Sequence, residues 1–170
     1  DALTTGTHNI AAGLNALGAS TTTCYSIAIG TDVMSDCIVS GIANIGIGWS
    51  TLSDLTTGIC NIAIGTSAMH QTTTGCLNVA LGIAALGGAV TTGYGNVGIG
   101  EGALKLLTTG RENIAIGCAA ACGQTTGCCN ISIGAITGGV NTPSTGIRNI
   151  GIGVSALNQN CTGNDNIAIG

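Results

Sequence analysis

Apolar and polar residues alternate in a short phrase, Asn-Ile-Ala-Ile-Gly, that recurs along the whole chain. The phrase is complete at 61–65, 113–117 and 166–170, and close variants lie between these copies. The glycines that close the copies lie 17 to 19 residues apart, at Gly13, Gly30, Gly48, Gly65, Gly82, Gly100, Gly117, Gly134, Gly153 and Gly170. A fixed period along a whole chain is typical of stacked coils. We therefore predict an all-β fold, a parallel β-solenoid (β-roll) of about ten coils of 17–19 residues.

Each phrase predicts one short strand whose side chains alternate between two faces. The second position is Ile or Val, and the fourth is Ile or Leu except at Ala12, which predicts an aliphatic core. The predicted structural core is represented by Ile45, Ile47, Ile62, Ile64, Ile114 and Ile116. The third position holds only Gly, Ala or Ser, which suggests that another surface packs closely on that face. The predicted close-packing interface comprises Gly46, Ala63, Ala80, Gly98, Ala115 and Gly151.

Other residue types recur at fixed distances from the phrase. Asn opens every copy except the one that begins at Ser26, which predicts a ladder of stacked amides represented by Asn44, Asn61, Asn78, Asn96 and Asn113. A glycine three residues before that Asn, replaced once by Thr23, predicts a corner with positive φ. Thr or Ser precedes this position every time. Ala-Leu pairs after the phrase predict the opposite wall, at Ala16-Leu17, Ala85-Leu86, Ala103-Leu104 and Ala156-Leu157.

A longer period groups the coils in threes. Gly46, Gly98 and Gly151 stand at the centre of every third phrase, and three cysteines recur at a spacing of 52 residues: Cys24, Cys76 and Cys128. We predict a single repeat array over 1–170, with a partial block at 1–13 and three-coil blocks at 14–65, 66–117 and 118–170. We expect this array to be a fragment of a longer chain.

The composition excludes several classes of function. Only 6% of the residues are charged and the formal net charge is −4, with three cationic side chains, which argues against nucleic-acid binding. Apolar runs stay well short of the roughly 18 residues of a membrane helix, so we expect no membrane insertion. The acids and the two histidines, His8 and His70, form no catalytic or metal-binding motif. We predict a protein that is not an enzyme and has no cofactor and no metal site.

Nine cysteines are an odd number, so at least one thiol is free or bonded to another chain. Cys60 and Cys76 fall in adjacent coils, and Cys122 and Cys128 fall in one coil, which makes these pairs candidate disulfides. The alternative is that most of the cysteines are small buried apolar residues. Disulfides within or between chains would indicate an oxidising setting.

The segment Gly-x-x-Asn-Ile-Ala-Ile-Gly-x-x-Ala-Leu with a following Thr-Thr-Gly resembles repeats in tail-fibre proteins of phages and large viruses. It is also similar to the Asn-x-x-Ala-Ile-Gly head repeats of bacterial trimeric autotransporter adhesins. The resemblance covers all ten coils, and for the autotransporter heads it implies a left-handed parallel β-roll with three chains to a fibre. The nine cysteines and the longer coils of this chain depart from the adhesin pattern.

These observations favour a structural segment of an extracellular or virion-surface fibre, a stiff spacer assembled laterally through its small-residue strand face. The partner is then the chain itself, as a homotrimer or filament. One alternative is an adhesin head that binds a host-surface receptor. The other is an ice-binding solenoid, because the recurring Thr resembles the threonine arrays of such proteins.

Overall fold

The protein is described here by a computed structural model that covers residues 5–139 and 143–170. The described residues contain no helix, and ten strands of three residues form one parallel sheet in chain order. The strands are Ile10–Ala12 (β1), Ile27–Ile29 (β2), Ile45–Ile47 (β3), Ile62–Ile64 (β4), Val79–Leu81 (β5), Val97–Ile99 (β6), Ile114–Ile116 (β7), Ile131–Ile133 (β8), Ile150–Ile152 (β9) and Ile167–Ile169 (β10). Each strand belongs to one coil, numbered as its strand, so the predicted parallel β-solenoid is confirmed.

The coils stack without a shift in register. Between β3 and β4, Ile45 pairs with Ile62, Gly46 with Ala63 and Ile47 with Ile64, and the other strand pairs follow the same rule. Residues at the same position of successive phrases therefore form continuous rows along the solenoid. We use the word row for such a set below.

The two faces of the strands are the reverse of the prediction. The side chains of Ala63 and Ala115 are fully buried, whereas Ile64 is 40% exposed and Ile116 is 37% exposed. The predicted isoleucine core was therefore wrong: Ile62, Ile64, Ile114 and Ile116 are exposed, and Ile45 and Ile47 are partly exposed. The central small residue of the eight inner strands, β2 to β9, is buried inside the solenoid instead.

The narrow interior explains this orientation. A Cβ atom added to Gly46 would lie 2.7 Å from Cγ1 of Val33, and one added to Gly98 would lie 2.6 Å from Cδ1 of Leu86. Large side chains from the opposite wall already fill each layer, so the strand contributes only small ones. The predicted close-packing interface at Gly46, Ala63, Ala80, Gly98, Ala115 and Gly151 is thus buried within one chain and is not a contact with a second one.

The opposite wall agrees with the Ala-Leu prediction. Leu52, Leu86 and Leu104 are fully buried, and the alanines before the last two are buried with them. Backbone hydrogen bonds join the wall from coil to coil; for example, the Leu86 amide donates to the Ala103 carbonyl at 3.0 Å. Met replaces Leu at Met34 and Met69 without breaking the buried row. Aliphatic burial of this kind is worth roughly 1.5–3 kcal/mol for each large side chain.

The asparagine ladder is confirmed. Asn78 is fully buried and donates from Nδ2 to the carbonyl of Gly93 at 3.0 Å, while its Oδ1 accepts from the amide of Asn96 at 2.9 Å. Successive coils repeat this pattern through Asn44, Asn61, Asn78, Asn96, Asn113, Asn130, Asn149 and Asn166. Each of these side chains except Asn166, which lies in the last coil, therefore satisfies backbone groups of the next coil that would otherwise be buried without partners.

The two recurrent glycines have different roles. The closing glycine of each phrase has a φ between +119° and +142°, a region that side-chain-bearing residues rarely adopt. The glycine of the Thr-Gly pair does not have positive φ at Gly58 or Gly93, so that prediction was wrong. It is required by close approach, because a Cβ at Gly93 would overlap the carbonyl oxygen of Gly110 in the next coil.

Candidate assembly surface

The outer side of the sheet is a regular apolar surface, which we call the isoleucine face. It is formed by the second and fourth positions of the phrases, and the ten strands contain no charged residue. Its rows are Ile10, Ile27, Ile45, Ile62, Val79, Val97, Ile114, Ile131, Ile150 and Ile167, and Ala12, Ile29, Ile47, Ile64, Leu81, Ile99, Ile116, Ile133, Ile152 and Ile169. The inward turn of the alanines is therefore what places two aliphatic rows on the outside.

Apolar side chains flank this face where the chain leaves the strand. The residue after the closing glycine is large, apolar and exposed in four coils, with Trp49 57% and Val154 69% exposed and Leu14 and Ile83 in the same row. The row also holds Thr31, Thr66 and the charged Glu101. Nine intervals of about 4.8 Å make the sheet about 43 Å long, and three residues make it about 10 Å wide, or roughly 430 Å². This area lies within the about 300–600 Å² of the largest apolar patch on a typical monomer, and it does not yet include the flanking row.

The residues just before the ladder Asn form another outward row, in which neighbouring coils contact each other. The rings of His8 and Tyr25 stack with their centroids 4.9 Å apart. Arg148 donates from Nε and Nη2 to the carboxylate of Asp165, at 2.6 and 2.8 Å. The pKa of Asp165 is lowered by these hydrogen bonds, and the pKa of Arg148 is raised by them. Both side chains are well exposed, so this pair adds little to stability.

All nine cysteines lie within the described residues, and no disulfide joins any two of them. The candidate disulfides Cys60–Cys76 and Cys122–Cys128 are therefore not formed. Cys60, Cys118 and Cys129 are exposed, and the other six are partly exposed, so the cysteines are not part of the buried core. The thiols thus face solvent along the outside of the solenoid, where a second molecule can reach them.

The local contacts set different acidities for these thiols. Hydrogen bonds from the amide and hydroxyl of Thr7 lower the pKa of Cys24. The pKa of Cys129 is raised, first by a hydrogen bond with Cys128, then by partial desolvation and by the Glu112 carboxylate, to which Cys129 donates at 3.5 Å. Burial raises the pKa of Cys122. Cys24 therefore carries the largest thiolate character of these three at neutral pH.

One histidine contacts serine hydroxyls without forming a catalytic arrangement. Nδ1 of His70 lies within hydrogen-bond distance of the hydroxyls of Ser50 and Ser53. Ser53 is fully buried, so a substrate cannot reach its hydroxyl. Asp54 meets His70 through its backbone amide, which donates to the His70 carbonyl at 3.1 Å. The cluster therefore links residues 50–54 of coil 3 to His70 of coil 4.

Residues 5–139 and 143–170 contain no group of three or more His, Cys, Asp or Glu side chains placed to hold a metal ion. Within the same ranges, no helix has the length and apolarity that crossing a membrane requires.

The Thr or Ser of each Thr-Gly corner is exposed along the whole row, as the ice-binding alternative needs. The next outward row is mixed and includes Tyr94 and Arg111, so the exposed hydroxyls of the corner row have no second row of hydroxyls on that side. Ice binding stays a prediction.

Positive backbone φ at ordinary residues was the feature that the sequence reasoning missed. Among residues 5–139 and 143–170, twenty-five non-glycine residues have φ between +48° and +61°, in three rows of the solenoid. One row directly precedes the ladder Asn, for example Cys60 and Leu77, and another is the buried wall itself, for example Leu52 and Leu86. These two rows contain no Val, Ile or Thr, the residues least suited to this conformation. That exclusion is the sequence signal that could have revealed them.

Comparison with known proteins returned no matching family model, no matching curated protein and no matching solved structure.

Proposed function

We propose that this chain is a structural segment of a fibre, a stiff spacer whose rods associate side by side through the isoleucine face. The observation that carries the proposal is the exposure of two aliphatic rows along the whole sheet, with Ile64 and Ile116 as central members. A charge-free and regular apolar surface is the kind of surface that another protein surface covers. Because every coil presents the same pattern, the most closely matched partner is another copy of this chain.

The isoleucine face alone is about half the size of one side of a stable interface. It covers roughly 430 Å², against the about 800 Å² that each partner contributes, and the apolar members of the flanking row supply further area. Stiffness follows from the fold, because each coil is bonded to the next by the strand ladder, by the Leu wall and by the Asn ladder. A rod of this construction spans distance without needing a binding pocket.

The resemblance to tail-fibre and autotransporter repeats supports the same role, three chains per fibre and a place outside the cell or on a virion surface. An adhesin head that binds a host-surface receptor is the alternative within that resemblance. The interface proposed now differs from the small-residue face expected from the sequence, because those residues lie inside the solenoid.

The test is the particle mass of variants in which the face is made polar. Ile64→Asp with Ile116→Asp changes two exposed positions three coils apart, and Val90→Asp with Leu106→Asp is the matched control on exposed apolar residues away from the strands. Light scattering under reducing conditions should find the native chain and the control associated and the face variant monomeric. Circular dichroism should be the same for all three proteins, since none of the changed side chains is buried.

Two results would overturn the proposal. One is a native chain that stays monomeric at high micromolar concentration. The other is a control variant that dissociates as readily as the face variant. Either result would show that the isoleucine face has no special part in association.

A further inference from the structure

A second outward row, two residues before the ladder Asn, carries three of the cysteines, and we call it the cysteine row. Its members are Thr7, Cys24, Ile42, Ile59, Cys76, Tyr94, Arg111, Cys128, Ile147 and Asn164. The row is stacked in register: Cys76 and Tyr94 form a parallel bridge, and the amide that follows each member donates to the carbonyl of the member in the coil before. The row is therefore a straight line of side chains along the outside of the rod.

The three cysteines of the row cannot bond to one another within a chain. They are three coils apart, which is about 14 Å at the spacing of about 4.8 Å per coil. A disulfide requires its two Cα atoms to lie within about 7 Å. Each of the three thiols is partly exposed. Any disulfide that joins members of this row must therefore link two chains.

The thiols are presented alike in two of the coils. Sγ of Cys24 donates to the carbonyl of Thr22 at 3.5 Å, and Sγ of Cys76 donates to the carbonyl of Thr74 at 3.2 Å. The side chains between them are largely apolar and exposed, as at Ile42 and Ile59. A second copy laid along the row would cover these isoleucines and bring like thiols together.

The isoleucine face by itself leaves the axial position of two rods undefined. Its side chains are nearly the same in every coil, so a slide by one coil of about 4.8 Å leaves the contact unchanged. The cysteine row repeats only every third coil. A slide by one or two coils leaves every cysteine of the row without a partner, and a slide by three coils leaves one unmatched on each chain.

We propose that the cysteine row fixes the register of two parallel copies of this chain, with Cys24, Cys76 and Cys128 each forming a disulfide with the same residue of the second copy. Identical residues of two parallel chains meet only along the axis that relates the chains, so this contact follows the cysteine row and lies beside the isoleucine face. The proposal therefore goes beyond the lateral association proposed above and does not depend on it. Antiparallel copies would instead place Cys24 opposite Cys128.

The linking reaction is a thiol–disulfide exchange that consumes glutathione disulfide. A thiolate of one chain attacks a glutathione sulfur, forms a mixed disulfide and releases one glutathione. The matching thiolate of the second chain then attacks the protein sulfur and releases the second glutathione. Two protein thiols are oxidised to one disulfide, one glutathione disulfide is reduced to two thiols, and the two protons pass to the departing glutathione. The lowered pKa of Cys24 raises the thiolate fraction of this residue, and with it the rate of the first attack.

The experiment maps the links formed by the intact chain in a glutathione redox buffer. Non-reducing electrophoresis measures cross-linked dimer, and mass spectrometry of proteolytic fragments identifies the joined cysteines. The expected links are Cys24–Cys24, Cys76–Cys76 and Cys128–Cys128. The variant with Cys24→Ser, Cys76→Ser and Cys128→Ser should lose cross-linked dimer and keep its non-covalent association under reducing conditions. The matched control with Cys60→Ser, Cys118→Ser and Cys129→Ser, the three exposed thiols outside the row, should keep both.

The failures of this proposal and of the proposed function are distinguishable. A chain that associates when reduced and forms no disulfides between cysteines of the row overturns the proposal that the row fixes the register. The proposed association through the isoleucine face is unaffected by that result. Links between Cys24 and Cys128 overturn the parallel arrangement, and cross-linking that survives the triple substitution overturns the choice of row. A chain that is monomeric when reduced and still forms the three expected links supports the cysteine row and overturns the isoleucine face.

Discussion

The hydroxyl groups of Thr23 and Ser26 lie 3.2 Å apart in coil 2, the coil that lacks both the corner glycine and the ladder asparagine. The Thr23 hydroxyl donates to the carbonyl of Gly41 at 2.6 Å, the bond that the Asn amide makes elsewhere. The Ser26 hydroxyl accepts from the amide of Asn44 at 3.2 Å, as the Asn side-chain oxygen does elsewhere. Thr23 and Ser26 thus together make the two hydrogen bonds that a single Asn side chain makes in the other coils.

Restoring the repeat pattern in coil 2 should show that these two positions are coupled. Ser26→Asn alone should destabilise the chain, because at Gly58 an added Cβ would lie 3.1 Å from the Asn61 amide nitrogen, and Thr23 has such a Cβ. Thr23→Gly alone leaves the Gly41 carbonyl without its donor. The double variant should recover most of the loss, with a coupling free energy of about 1–3 kcal/mol. Urea unfolding of the four proteins measures it, and additive effects would contradict the replacement.

The Asn ladder should contribute more to the free energy of unfolding in the middle of the rod than at its last member. Asn78→Ala removes the donor to Gly93 and the acceptor for the Asn96 amide, both buried, and should cost about 3 kcal/mol of the free energy of unfolding. Asn166→Ala is the matched control, because Asn166 is exposed and bonds to Asn149 in the coil before it. Chemical denaturation of both variants is the measurement. Equal losses would mean that the ladder does not act through the neighbouring coils.

Two glycines with positive φ should differ in their tolerance of alanine. Gly65 has φ +130°, and its added Cβ would lie 2.7 Å from the carbonyl oxygen of Gly82, so Gly65→Ala should cost at least about 3 kcal/mol. Gly102 has φ +64° with no atom within 4 Å of the added Cβ, so Gly102→Ala should cost about 1 kcal/mol. Thermal unfolding followed by circular dichroism compares them. A similar loss in both would show that close packing between coils is not what selects the closing glycine.

Thiol reactivity should follow the local hydrogen bonds. A lower pKa means a larger thiolate fraction at any pH below it, so Cys24 should react with iodoacetamide faster than Cys129 near pH 7, where its pKa is lowered and that of Cys129 is raised. The difference should shrink as the pH rises above both values. Labelling followed by mass spectrometry reads each site. Thr7→Val, which removes the hydroxyl bonded to Cys24, should slow Cys24 and leave Cys129 unchanged; the reverse result would refute this assignment.

Much of the architecture could be predicted from the chain because the repeat leaves few choices. The spacing of the closing glycines indicated one coil per phrase, and each phrase is a strand, as at Ile114–Ile116. The Asn ladder and the Ala-Leu wall were predictable for the same reason. Asn recurs where an amide must reach the next coil, and the wall position holds Leu or Met in most coils, as at Leu52 and Met69, with Ala121 as a smaller member.

The direction of the strand side chains was decided by the tertiary structure alone. Alternation divides Ile62, Ala63 and Ile64 into two faces but does not say which face is inward, and a change of one residue exchanges them. The space inside the coil decides which face is inward. The Leu wall reaches across the coil, so that a Cβ at Gly98 would already lie 2.6 Å from Leu86. An interior this narrow accepts Ala and Gly from the strand and leaves the larger isoleucines outside. The sequence alone therefore established the stack of coils, and the width of each coil decided that its isoleucines form a surface and not a core.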